Sequence, residues 1–121
     1  MRDHKSLDAW RVAHEVAVLL YRARRDHWQP WTASVFDQMQ RAFLSVQLNV
    51  AEGHALRSRA RFLNHLTIAF GSAVETVECL EFCQECDMLP TLTCEEILSK
   101  AVRVRAMLLG LMKRYRPRAN E

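Results

Sequence analysis

Apolar residues recur along this chain at steps of three and four, in four separate runs. From Leu7 to about Trp28, Val12, Val16, Leu19 and Leu20 mark one face, widened by Trp10, Ala13, Ala17 and Tyr21. From about Thr32 to Glu52 the stripe is Phe36, Met39, Phe43, Val46 and Val50. From Arg59 to about Cys86 it is Phe62, Leu66, Ala69, Ala73, Val77, Leu80 and Cys83. The last run, Cys94, Ile97, Ala101, Val104, Leu108, Leu111 and Tyr115, alternates three and four throughout, a heptad seam suited to bundle packing.

The punctuation between runs agrees with helices. Ser6 reads as an N-cap, with Asp8 at the positive end of the first helix. His27-Trp28-Gln29-Pro30-Trp31-Thr32 breaks the first run from the second, because Pro30 disfavours helix at the residue before it. Gly53 reads as the stop of the second helix, where only Gly takes φ > 0 without strain. Ser58 reads as the N-cap of the third. Met88-Leu89-Pro90 ends the third helix, and Thr93 with Glu96 has the spacing of a capping box that opens the fourth. Pro117 closes it. Ala69, Gly71, Ser72 and Ala73 predict close approach of a neighbouring helix to the third. At 1.5 Å rise per residue the helices would be about 30–42 Å long, and short connections make neighbours antiparallel. The expected fold is all-α, an antiparallel up-down-up-down four-helix bundle forming a single domain over residues 1–121.

Composition fits. The chain has 121 residues, 50% of them hydrophobic, and only 3 Gly and 3 Pro, which argues against a turn-rich β fold. Leu44, Leu48, Leu56, Leu63 and Phe82 fall outside the stripes; they widen the core, dot the surface, or bury against other copies of the chain. Met-Arg-Asp-His-Lys-Ser at the start has no apolar h-region, and the longest apolar run, Val16 to Tyr21, is far too short to span a bilayer. The expectation is a cytoplasmic protein with reduced thiols and no membrane partner.

Charge changes the picture once topology is considered. The formal net charge is only +3, and most of the 17 basic residues are Arg, which forks onto phosphates and carboxylates. An up-down bundle gathers the N-terminus, the second connection and the C-terminus at one pole. That pole collects Arg2, Lys5, Arg57, Arg59, Arg61, Lys113, Arg114, Arg116 and Arg118 against Asp3, Asp8, Glu52 and Glu121. The opposite half holds Glu78, Glu81, Glu85, Asp87, Glu95 and Glu96 against Arg22, Arg24 and Arg25. Arg59 and Arg61 sit in a first helical turn, where the macrodipole makes cations unfavourable by roughly 0.3–1 kcal/mol. A local rule broken without visible compensation marks a candidate site. Arg57, Arg59, Arg61, Lys113, Arg114 and Arg116 are the candidate nucleic-acid contacts, dominated by phosphate and shape. A solvated basic end without a ligand is the competing reading.

Other constellations carry less. Cys79, Cys83 and Cys86 share a helical face, much of it core, and read as small hydrophobes rather than a zinc or redox half-site. His14 and His65 have no di-iron-type His-x-x-Glu partner, so a metal or haem bundle is a minor alternative. Asn49 and Glu75 lie near the apolar faces of adjacent helices and read as a buried hydrogen-bonded pair fixing helix register, with Glu52 as a further structural polar residue. No nucleophile, oxyanion loop or Gly-rich phosphate loop accompanies Glu52 or Glu75, so no catalytic residue, enzyme activity or cofactor is expected.

Ser45, Asn49, Ala51-Glu52-Gly53, Ser58, Phe62, then His65-Leu66-Thr67-Ile68-Ala69-Phe70-Gly71-Ser72 and Glu75, with Leu7-x-x-Trp10-x-x-Ala13 upstream, form a recognisable set. Gln38, Arg41-Ala42 and Leu89 extend it. Over residues 7–89 the chain resembles the bacterial 23S rRNA intervening-sequence proteins. Gln47 stands where the family pattern has Pro, Arg61 where it has an acid, and His65 where it has an aromatic. The resemblance implies a four-helix bundle assembling as a homopentamer. A related branch, the accessory proteins of diversity-generating retroelements, binds nucleic acid and a reverse transcriptase through a basic surface. The expectation is therefore a non-enzymatic oligomer that binds RNA or another nucleic acid, with a protein partner such as a reverse transcriptase possible in principle. A pure protein-interaction scaffold is the rival.

Overall fold

The computed structural model describes residues 4–117, with Ser6 in its backbone only, and contains helices and no strand among them. Helix α1 spans Asp8–His27, α2 Ala33–Ala55, α3 Arg59–Glu85 and α4 Thr91–Tyr115, preceded by a 3-10 turn at His4–Ser6. Arg2, Asp3, Arg118 and Glu121, assigned above to the basic pole, lie outside the described residues.

Cross-helix bonds set the directions. Arg24 meets Asp37 near one end of α1 and α2, and His14 meets Gln47 further along, so later residues of α1 face earlier residues of α2. Gln38 with Glu75 and Asn49 with His65 give α2 and α3 opposite directions in the same way. Cys94 with Leu80 and Arg59 with Arg114 do so for α3 and α4. Lys100 reaches Glu15 and closes the ring between α4 and α1. Among the described residues no backbone contact joins α1 to α3 or α2 to α4 across the diagonals. The bundle is antiparallel, as the short connections imply.

The four stripes form one core. Phe36, Phe43, Leu66, Leu80, Ile97 and Leu108 are fully buried, each adding roughly 1.5–3 kcal/mol of transfer free energy. Leu19, Leu111 and Tyr115 are half-buried at its edge. Leu44, Leu48, Leu56 and Phe82 are exposed, so they do not widen the core of one chain.

Four local expectations are corrected. Gly53 does not stop α2; it is helical and buried, and a Cβ there would stand 2.6 Å from the His65 Cβ and 3.1 Å from the Phe62 ring. Its small size lets α3 approach. The left-handed residue that turns the chain is Arg57, at φ 56°. Helix α4 begins at Thr91, two residues ahead of the expected capping box, with Pro90 in the N-cap position and its carbonyl accepting the Cys94 N–H at 3.0 Å. Leu7, not Ser6, occupies the N-cap position of α1. A Cβ at Gly71 would meet no other described residue within 4 Å, and the close α3 packing comes from Ala69, Ala73 and the Ser72–Ser45 hydroxyl contact at 3.2 Å.

Candidate functional site

The α2–α3 connection folds as its residue types require. Arg57 takes the left-handed conformation at the position after the α2 C-cap, and its N–H donates to the His54 carbonyl at 3.5 Å. Ser58 is extended, and its hydroxyl accepts the Arg61 N–H at 3.3 Å, the expected N-cap. Arg59 then points from the first turn of α3 to the last turn of α4. Its guanidinium donates to the Arg114 carbonyl at 2.9 Å and lies 5.1 Å from the centre of the Tyr115 ring. That carbonyl is one of the four left unpaired at a helix C-terminus, where a cation is favoured. The cation misplaced for α3 is thus well placed for α4, a compensation that spacing along the sequence did not reveal. Phe62 packs edge-on against Tyr115 at 4.9 Å and against His54 at 5.9 Å. Together these side chains line a niche of about 230 Å³ bounded also by Gly53, Arg57 and Ser58.

Arg57, Arg59, Arg61, Lys113, Arg114 and Arg116 are all exposed at this end, and among the described residues none of the six is in an ion pair. Of the nearby acids, Asp8 is engaged by Arg11, and Glu52 is exposed and in no ion pair among the described residues. The far end differs. Arg24 is bound to Asp37 at 2.9 Å and Arg25 to Asp26 at 2.9 Å, and the Arg25 hydrogen bond holds the Asp26 carboxyl below its ordinary value.

The expected structural polar residues find other partners than those foreseen. Asn49 and Glu75 do not pair with each other. Asn49 donates to the Ser45 carbonyl at 2.8 Å and hydroxyl at 3.1 Å, and its own carbonyl accepts from His65 Nδ1 at 2.9 Å. Glu75 is exposed and accepts from Gln38. Both links still join α2 to α3, but one is half-buried and the other lies at the surface. Glu52 is exposed and makes no such link. Sequence reasoning missed Gln47, buried and donating to His14 Nδ1 at 2.9 Å, with the His14 ring stacked on Trp10 at 5.1 Å. It also missed Tyr115, which periodicity assigned to the core.

The cysteines are free, with Cys83 and Cys94 buried, Cys79 half-buried and Cys86 exposed. Burial pushes the Cys83 thiol up to about 12, far from a reactive thiolate. Among the described residues no group of three His, Cys, Asp or Glu side chains is placed to hold a metal ion. No helix among them is long and apolar enough to cross a membrane.

Fold and charge together define a small all-α bundle whose one end carries six exposed cations, none in an ion pair among the described residues, around an aromatic niche. The chain belongs to the 23S rRNA-intervening sequence protein family, whose profile matches residues 5–110. Among solved structures it is similar to a protein of unknown function from the S23 ribosomal protein family of Bacteroides thetaiotaomicron, at 24% identity. That match covers 87% of this chain and 95% of the other, with a TM-score of 0.77, and it carries the fold alone. A comparison with curated proteins yields no match.

Proposed function

We propose that this protein is a non-enzymatic homo-oligomer that binds RNA through its cationic end. The observation that supports this reading is the convergence of Arg57, Arg59, Arg61, Lys113, Arg114 and Arg116 from two segments, the α2–α3 connection and the end of α4, with no carboxylate pairing among the described residues. Cations held together without partners repel one another, and a polyanion relieves that repulsion. Exposed Leu44 and Leu48, four residues apart on α2, with Ile68 on α3, supply apolar surface for assembly into the pentamer that the family resemblance implies. A ring would repeat the cationic end and multiply weak phosphate contacts by avidity.

The test is fluorescence anisotropy with labelled RNA over a salt series. If each of the six cations neutralises one phosphate, the log–log slope is about −4 on single strands. The triple variant Arg57→Glu, Arg61→Glu, Lys113→Glu leaves the Arg59 contact to α4 intact. It should flatten the slope by about 2 and lower affinity at every salt concentration while the helical circular dichroism stays unchanged. Equal affinity of the folded variant and the wild type would sink the assignment. Nuclease-resistant capture of a protein partner, combined with that result, would favour a scaffold instead.

A further inference from the structure

Arg59 is held unlike the other five cations of this end. Its guanidinium is fixed over the Tyr115 ring at 5.1 Å and tied to the Arg114 carbonyl at 2.9 Å, which commits one of its five N–H donors and orients its plane. A phosphate contact needs a cation, but not one held in place beside an aromatic ring. A fixed planar cation beside an aromatic niche has a different use. Unpaired nucleobases stack on aromatic rings and on guanidinium planes, and their edges take hydrogen bonds from nearby polar groups. The niche offers both, with Phe62 and Tyr115 as its apolar wall and His54 and Ser58 as polar neighbours. At about 230 Å³ it is a local hollow suited to a single ring system rather than to the width of a duplex. Arg57 and Arg61, exposed on either side of Arg59 in sequence, are available to the flanking phosphates.

We infer that this niche takes one unstacked base, so that the ligand of the cationic end is single-stranded nucleic acid, with Arg59 on Tyr115 as the stacking platform. The inference rests on the reading that this end binds nucleic acid, and it adds which strand form is bound and by which residue. Duplexes keep their bases paired and stacked, so they meet only the charges.

The experiment compares three labelled ligands at matched ionic strength: a single-stranded RNA, the same RNA annealed to its complement, and the same strand with abasic sites. Wild-type protein should prefer the base-bearing strand to both others by about tenfold, the scale of one base–aromatic stack. Arg59→Lys keeps the charge but not the guanidinium plane, and should abolish that preference. Tyr115→Leu, which removes the platform's support, should do the same; both variants are checked for wild-type helicity, and either one suffices if the other misfolds. A wild-type protein that binds the abasic strand as tightly as the base-bearing one overturns the inference, as does an unaltered preference in a folded Arg59→Lys or Tyr115→Leu. If the charge-reversed triple variant nonetheless loses affinity, the phosphate reading survives and only the base pocket falls; absence of all RNA binding by wild type overturns both.

Discussion

The two ends of this bundle are turned by the same device and carry opposite charge. Helix α2 ends on Arg57 at φ 56°, and α3 ends on Asp87 at φ 52°. At the second turn the Asp87 and Met88 N–H groups donate back to Gln84 and Cys83, a Schellman closure. The left-handed conformation costs a residue with a Cβ about 1–2 kcal/mol, and Gly is its usual occupant. Neither end uses Gly. At the end that holds Asp87, two of three arginines, Arg24 and Arg25, are bound to Asp37 and Asp26, and Arg22 is in no ion pair among the described residues. A groove of about 480 Å³ opens there beside exposed Trp31 and Phe82. Around Arg57 no such pairing occurs among the described residues. The backbone therefore does not require the side chains found at either turn. A near-neutral sum of charges conceals a molecule with two chemically distinct poles.

The comparison can be tested by substitution. The largest effect is expected beneath the cationic end. Gly53→Ala forces a Cβ to within 2.6 Å of the His65 Cβ, so α2 and α3 must separate, and the loss should be roughly 1–3 kcal/mol in urea denaturation. Gly71→Ala on the open face of α3, where nothing lies within 4 Å, should instead raise stability by about 0.8–1 kcal/mol. Equal outcomes for the two would show that α3 does not press on Gly53. Next in size, Arg57→Gly and Asp87→Gly should each stabilise by roughly 1 kcal/mol through relief of the left-handed backbone. Only Arg57→Gly should also weaken RNA binding, and a matched response of both in binding would erase the distinction between the poles. The smallest effect belongs to Asp37→Asn, which frees Arg24 at the far end. With side chains 36% and 45% exposed the pair is worth less than about 1 kcal/mol, read as a small shift in denaturation midpoint.

Much of this architecture was legible in the spacing of apolar residues. The stripes Phe36 to Val50 and Phe62 to Cys83 are buried as periodicity requires, and Ser58 caps α3 as its position before the run suggested. Misreadings arose where one residue type serves two purposes. Gly53 resembles a helix stop because Gly does end helices, whereas here its missing Cβ makes room for His65 on the following helix, α3. Thr93 and Glu96 had capping-box spacing, but Pro90 had already started the helix. Asn49 and Glu75 were both near apolar faces, and their true partners, His65 and Gln38, were fixed by how far each side chain reaches. Of the candidate site, the gathering of cations followed from topology. The Arg59–Tyr115–Arg114 contact spans 55 residues and has no local signature, since Tyr115 fits the heptad seam like any core residue.

The two histidines bound across α2 show how much such pairing decides. Asn49 presents an oxygen to His65, which must therefore carry its hydrogen on Nδ1, whereas Gln47 presents an amide nitrogen to His14, whose Nδ1 must be bare. The two imidazoles are held as opposite tautomers. In the neutral form of both rings, His65 turns a lone pair on Nε2 away from its partner and His14 turns an N–H, so side chains that look interchangeable in the sequence would then offer the surroundings an acceptor in one place and a donor in the other.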